Sequence, residues 1–151
     1  MPDPVVPERF DEDVAASMHR FDGGGLPAYL GIGTVEVAPG RMVVGLDVRD
    51  ELLNPFGSLH GGVVAALVDH VLGAVLYPHI ERGRWAATTE FKVNLLAAVR
   101  AGRLEATATI VSLTRRTAVV QVEVDNDGRP CALAQGTVLI ADPRPAVDAA
   151  P

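Results

Sequence analysis

The chain has 151 residues, which is enough for one domain with a full hydrophobic core and too few for a second domain of similar size. Hydrophobic residues make up 48% of it and charged residues 21%, a balance typical of a folded globular protein rather than a disordered one. The formal net charge is −6 and the cationic residues are scattered, so the chain offers no basic surface for nucleic acid, which is not an expected partner.

Both ends of the chain are rich in proline. Residues 1–7 and 143–151 are therefore predicted to be flexible tails around a single domain over residues 8–142. The start lacks the basic-then-apolar layout of a secretory signal, and Cys131 is the only cysteine. A cytoplasmic protein without an intramolecular disulfide is the expectation.

The first predicted element is a short amphipathic helix over residues 8–21. It is indicated by apolar side chains at helical spacing, namely Phe10, Val14, Met18 and Phe21. The glycines at positions 23–25 are predicted to form a loop that ends this helix.

Alternation of apolar and polar residues then predicts strands on either side of one long helix. Two strands, joined by the Pro39-Gly40 turn, precede a run at residues 61–76 that is apolar enough for a buried helix and too short for a membrane span. Four further strands are predicted at residues 86–96, 104–113, 117–125 and 131–140. This order predicts an α+β fold in which an antiparallel sheet wraps around one central helix.

The central helix begins with two adjacent glycines, Gly61 and Gly62. The first amides of a helix have no acceptor within it, and the peptide dipoles add partial positive charge there. Because glycine has no side chain, a carbonyl oxygen can approach the Gly61 amide at hydrogen-bond distance, as in an oxyanion hole. A glycine loop that only permits tight packing is the structural alternative.

Asp69 interrupts the apolar run of a helix that the pattern predicts to be covered on most sides. Burying an unpaired carboxylate costs free energy, so this residue is either functional or an aspartate that is solvated or hydrogen-bonded for structural reasons. Eight residues of helix place it roughly 12 Å from Gly61, too far for both to contact one carbonyl group. A two-fold dimer that brings Asp69 of one subunit to Gly61 of its partner would complete two equivalent sites.

The run from Asn54 to Asp69 reads NPFGSLHGGVVAALVD. It resembles, without a gap, the N-x-x-G-x-x-H-G-G-x-x-x-x-L-x-D signature of the hotdog-fold acyl-CoA thioesterases, in particular their phenylacetic-acid-degradation (PaaI-like) branch. The resemblance implies a hotdog fold and hydrolysis of an acyl-CoA to the free acid and CoA. It also implies a homo-oligomer, a dimer or a dimer of dimers, with composite active sites.

The resemblance also assigns roles to residues that match the signature. The amide at Gly61 would polarise the thioester carbonyl, and Asp69 of the partner subunit would act as general base toward water or as nucleophile. Asn54 would hydrogen-bond near the reacting groups, and His60 would support the loop and the thioester pocket. Alone, Asn54 or His60 is more often structural.

Other residues are candidates by position. In several relatives a hydroxyl early in the next strand places the water; Thr88 matches with one inserted residue, and Thr89 is the fallback because alternation turns only one of the two toward the helix. The candidates for substrate contacts on the helix are Gly62, Ala66 and His70. His70 stands where relatives often carry a small polar residue, and a surface or interface histidine is the alternative reading of it.

CoA carries phosphates, which relatives receive with surface cations near strand ends. Arg115 and Arg116, together with Arg100 and Arg103, lie at predicted turns and are candidates, although solvated surface arginines are the alternative. The sequence contains no compact ligand pattern such as H-x-x-x-H or C-x-x-C, so neither a metal nor another cofactor is expected.

Two other functions use the same features. A hydratase of this fold also polarises a thioester carbonyl, but it presents an aspartate and a histidine together on the loop before the helix, where this chain has Asn54 and His60. A non-catalytic acyl-CoA-binding module is the second alternative.

Overall fold

A computed structural model of the chain describes residues 5–20 and 24–143. It contains three α-helices, which are α1 (Glu12–Met18), α2 (Gly25–Leu30) and α3 (Gly61–Ala74). Two single 3-10 turns lie at Asp50–Leu52 and Tyr77–His79. Helix α3 starts at the predicted glycine and ends two residues before the predicted end.

Six antiparallel strands form one sheet. They are β1 (Gly33–Ala38), β2 (Arg41–Asp47), β3 (Trp85–Leu95), β4 (Arg103–Leu113), β5 (Thr117–Asn126) and β6 (Arg129–Ala141). The order across the sheet is β1-β2-β4-β5-β6-β3, so β1 and β3 are the edge strands. This sheet around one long helix is the architecture that the sequence predicts.

The core lies between α3 and the inner face of the sheet. Strands β4 and β5 alternate buried and more exposed residues along most of their length, as expected for strands with one face on the core. Helix α3 contributes fully buried side chains at Leu67, Val68, Val71 and Leu72. At Gly136 in β6 a Cβ would lie 2.8 Å from Leu72 Cδ1 and 2.8 Å from Phe91 Cβ, so helix and sheet approach each other closely there.

The N-terminal helix is shorter than predicted. Asp11 caps it at residue 12 by accepting from the Val14 amide at 3.1 Å, so Phe10 lies before the helix instead of inside it. The Arg82 guanidinium holds the same carboxylate with two hydrogen bonds of 2.9 and 3.1 Å. The predicted member Phe21 and the first glycine of the predicted loop, Gly23, lie outside the described residues.

Helix α2 begins within the glycine run that was predicted to be a hinge or loop. Gly24 and Gly25 have positive φ, Gly24 is the N-cap and Gly25 the first residue of α2, and Gly31 ends the helix in the left-handed conformation. The Arg49 guanidinium donates to the carbonyl of Leu30 at 3.0 Å and to that of Tyr29. A contact from a distant residue therefore stabilises this short helix.

His79 ties the segment before α1 to the sheet. Its Nε2 accepts from the Gly40 amide at 3.1 Å, which leaves Nδ1 as the N–H that donates to the Arg9 carbonyl at 2.6 Å. Further toward the N-terminus, the Val5 amide donates to the Ile110 carbonyl at 3.2 Å. Residues 5–7, which were expected in a flexible tail, thus lie against the domain.

By length and hydropathy alone, the stretch Gly61–His79 is apolar enough to cross a bilayer. Its regular helix α3 has 14 residues, about 21 Å, and packs its buried side chains under the sheet. We therefore interpret it as the core helix of the domain.

Candidate active site

The loop before α3 is shaped by Asn54. Its side-chain Oδ1 accepts from the backbone amides of Phe56 at 2.9 Å and Ser58 at 3.2 Å. Its backbone amide donates to the Ser58 carbonyl at 2.7 Å. These bonds close a tight turn in which Gly57 takes the left-handed conformation. Asn54 thus positions the approach to the helix.

His60 is the N-cap of α3, and it determines which amides at the helix start are free. Its Nδ1 accepts from the Gly62 amide at 2.9 Å, and its carbonyl accepts from the Val63 amide at 2.9 Å. Within the described part of the chain, the Gly61 amide has no acceptor. The cap therefore leaves the Gly61 N–H unpaired, at the position where the dipole of α3 is most positive.

The Gly61 amide lies at a cavity of about 370 Å³. Asn54, Ser58 and Val64 form one side of it, and the segment from Leu95 to Val99 forms the other. A Cβ on Gly61 would lie 2.9 Å from Leu95 Cδ1. The absence of a side chain at position 61 keeps this space open for an oxygen atom.

Asp69 is exposed in the single chain, on a side of α3 that is not covered, although the pattern predicted a helix covered on most sides. It lies at the wall of a second, larger cavity of about 810 Å³. Gly73, one turn further along α3, lines the same cavity, and a Cβ at that position would lie 3.9 Å from the Ala86 Cβ of β3. The carboxylate therefore faces open space that nothing in the described chain fills.

Asp69 and Gly61 belong to different cavities of the same chain. No residue lines both cavities, and the two lie toward opposite ends of β3: Leu95 borders the cavity of Gly61, and Ala86 that of Asp69. This separation agrees with the distance of roughly 12 Å between Gly61 and Asp69 along α3. A donor for an oxyanion and a base are thus both present, on surfaces that one chain does not bring together.

Thr88 lines the cavity of Asp69, and Thr89 does not. A β-bulge in β3 at Thr89 shifts the pairing with β6, and the Thr89 hydroxyl donates to the Thr137 carbonyl at 3.0 Å. The geometry therefore favours Thr88 over Thr89 as the hydroxyl beside the carboxylate.

His70 also lines the cavity of Asp69, whereas Gly62 and Ala66 line neither cavity. Gly62 is exposed with its amide bonded to His60, and Ala66 packs against the core. Burial lowers the pKa of His70 below its ordinary value, and the nearby Asp69 opposes this effect. The imidazole is therefore neutral near pH 7.

None of the four arginine candidates lines either cavity. Arg115 and Arg116 are exposed on the β4–β5 turn, near the Trp85 end of β3 and far from Gly61. Arg103 is paired with Asp47 at 3.0 Å. Arg100 is exposed and directly follows Val99, which lines the cavity of Gly61.

The cavity of Asp69 also has lining residues from α1 and α2 that were not among the candidate site residues. Val14 and Met18 of α1 and Pro27 of α2 line the cavity of Asp69, as does Tyr77 after α3. The helical spacing of Val14 and Met18 showed an apolar face, but nothing local indicated where that face packs. On the other side, the buried thiol of Cys131 lines the cavity of Gly61, and burial raises its pKa.

Among the described residues there is no group of three or more His, Cys, Asp or Glu side chains that could hold a metal ion. Hydrolysis at this site would rest on the amide, the carboxylate and the hydroxyl described above.

Comparison with known proteins places the chain among hydrolases of thioesters. The family model described as the thioesterase superfamily matches residues 56–132. A 1,4-dihydroxy-2-naphthoyl-CoA hydrolase of Listeria monocytogenes is 33% identical over 103 residues, which cover 68% of this chain and 84% of that protein. Acyl-coenzyme A thioesterase 13 of Homo sapiens is 28% identical over 103 residues, 68% of this chain and 73% of that one.

Solved structures show the same fold. A thioesterase from Haemophilus influenzae superposes with a TM-score of 0.81 over 88% of this chain and 94% of that chain, at 22% identity, a likeness of fold alone. A mutant of the phenylacetic acid degradation protein PaaI from Thermus thermophilus has a TM-score of 0.68 and 34% identity over 75% of this chain and 96% of that chain.

Proposed function

The chain belongs to the thioesterase superfamily and is an acyl-CoA thioesterase of the hotdog fold, and we propose that it hydrolyses its substrate in composite sites built from two subunits. In each site, the Gly61 amide of one subunit would bind the thioester carbonyl oxygen. Asp69 of the other subunit would act on the carbonyl carbon, either by deprotonating water or by direct attack.

The observation that carries this proposal is the amide of Gly61 at the start of α3, which has no acceptor among the described residues. His60 occupies the Gly62 amide, so the oxyanion that forms when the carbonyl is attacked meets one donor, from Gly61, in a cavity of about 370 Å³. A preorganised donor of this kind stabilises charge that develops only in the transition state.

The base side of the proposed site consists of Asp69 and Thr88. With Asp69 as general base, the carboxylate takes a proton from water while the water oxygen bonds to the carbonyl carbon. The carbon–sulfur bond then breaks, the acid leaves, and the proton passes to the sulfur of CoA. The Thr88 hydroxyl, in the same cavity, would hold the water.

The edge strand β3 supports a dimer. Its partner in the sheet is β6, and no strand within residues 5–20 and 24–143 pairs with its other edge. Long open edges are sites where chains associate. Antiparallel pairing of β3 with its copy would bring the Leu95 end of one subunit, with Gly61, toward the Ala86 end of the other, with Asp69.

The substrate side of the proposal is an acyl-CoA whose acyl group occupies the cavity of about 810 Å³ next to Asp69. Arg115 and Arg116, or Arg100, would meet the CoA phosphates. A cytoplasmic location is part of the proposal; Cys131, a buried free thiol, is consistent with it.

The decisive experiment replaces Asp69 with asparagine. We expect Asp69→Asn to remove release of free thiol from acyl-CoA substrates, measured with a thiol reagent, while light scattering at micromolar concentration still shows an oligomer. Full activity in the folded variant would refute the assignment of Asp69. A wild-type monomer under the same conditions would refute the composite site.

A further inference from the structure

His70 is a polar side chain without a hydrogen-bond partner in the wall of the larger cavity. It is half-buried there, and neither of its ring nitrogens bonds to any group within residues 5–20 and 24–143. Much of the surrounding wall is apolar, with Val14, Met18 and Met42 among the lining side chains. Its ring nitrogens are therefore available to hydrogen-bond a ligand that enters the cavity.

The charge state of His70 limits what it can bind. Burial keeps the imidazole neutral near pH 7, so it offers one N–H donor and one nitrogen acceptor. The other ionisable groups at the cavity wall are Asp69 on the same helix and Tyr77 beyond its end, and strand β3 presents Ala86, Ala87 and Thr88 there. A carboxylate on the ligand would meet the negative charge of Asp69, whereas a neutral oxygen would not.

We propose that His70 determines specificity by hydrogen-bonding a neutral oxygen substituent, a hydroxyl or a keto group, on the acyl chain close to the thioester carbonyl. This inference rests on the proposed function, since it takes the larger cavity as the acyl site. Asp69 must reach the carbonyl carbon, and His70 is its neighbour on the helix and lines the same cavity. The substituent therefore lies within the first few carbons of the acyl chain.

The test compares octanoyl-CoA with its 2-hydroxy, 3-hydroxy and 4-hydroxy derivatives. Thiol release gives kcat/KM for each substrate, and the ratio of hydroxyacyl to unsubstituted substrate is the readout. We expect at least one position to give a ratio of about ten in the wild type, the effect of one hydrogen bond between neutral groups. His70→Leu should bring that ratio to about one, and His70→Gln should keep part of it.

Tyr77→Phe is the matched control, because it removes another hydroxyl from the same cavity. A wild-type ratio near one at every position would overturn the inference, as would a ratio that survives in His70→Leu or falls equally in Tyr77→Phe. If a variant cleaves no substrate, the ratio of kcat/KM values is replaced by the ratio of dissociation constants for the corresponding non-hydrolysable thioethers. Failure of the wild type to cleave any of the four substrates would instead refute the proposed function.

Discussion

Replacing Gly61 with proline should remove the oxyanion donor while preserving the fold. Gly61 is the first residue of α3, where proline is tolerated because the missing N–H has no helical acceptor. The preceding residue, His60, has φ −64° and ψ 129°, the extended conformation that a residue before proline prefers. Backbone geometry thus permits Gly61→Pro, and the chemical loss is the amide proton.

The size of the effect follows from the hydrogen bonds at the helix start. The Gly62 amide is bonded to His60, so no neighbouring donor replaces that of Gly61. Loss of one oxyanion-hole donor costs roughly 100-fold to 1000-fold in kcat, about 3–4 kcal/mol of transition-state stabilisation. We expect this loss in kcat, with a melting temperature close to that of the wild type.

Gly61→Ala is the control, since alanine also adds a Cβ but keeps the N–H. Either Cβ would lie 2.9 Å from Leu95 Cδ1, the tip of an exposed side chain that can move aside. The assay is thiol release from a saturating acyl-CoA, with thermal unfolding in parallel. If Gly61→Pro and Gly61→Ala lose activity equally, steric contact explains the loss and the amide is not the donor.

Three further predictions concern subunit pairing, the hydroxyl and acid stability. When unfolded Gly61→Pro and Asp69→Asn chains are mixed and refolded, about a quarter of wild-type activity should return. Half of the dimers are then mixed, and each mixed dimer has one intact site out of two. No recovery of activity would argue against shared sites. Thr88→Val should lower kcat at least tenfold and Thr89→Val much less, so equal losses in thiol release would contradict the placement of the two hydroxyls. Burial lowers the pKa of His79, so the unfolded chain takes up a proton at higher pH than the folded chain, and stability falls as the pH drops below about 6.5. In thermal unfolding, His79→Gln should have a lower melting temperature than the wild type at pH 7.5. A difference in melting temperature that does not narrow by pH 5 would contradict this role.

The central helix and most strands were predictable because their signals are local. Gly61 marks the start of α3, and regular alternation marks β4 and β5. The donor at Gly61 was also predictable, since the first amides of any helix lack acceptors.

Other features depend on contacts between distant residues. Arg49 holds helix α2 by hydrogen bonds from a distant part of the chain. Pro27 in its first turn and Gly31 at its end are compatible with a helix, but the glycines at its start favour a loop. The exposure of Asp69 depends on which sides of α3 the rest of the fold covers, and the helical pattern alone does not contain this information. His79 illustrates the same limit, because its partners Arg9 and Gly40 are far away in sequence.

The location of Gly61 and Asp69 in separate cavities affects how the rate depends on dilution. In the proposed mechanism, a folded single chain holds the carbonyl donor of one site and the base of another, and it contains no complete site. When the protein is diluted below the dissociation constant of its dimer, activity per chain should fall in proportion to concentration, so the total rate varies with its square. Mild dilution would then inactivate the enzyme without unfolding it, and concentrating the sample would restore it.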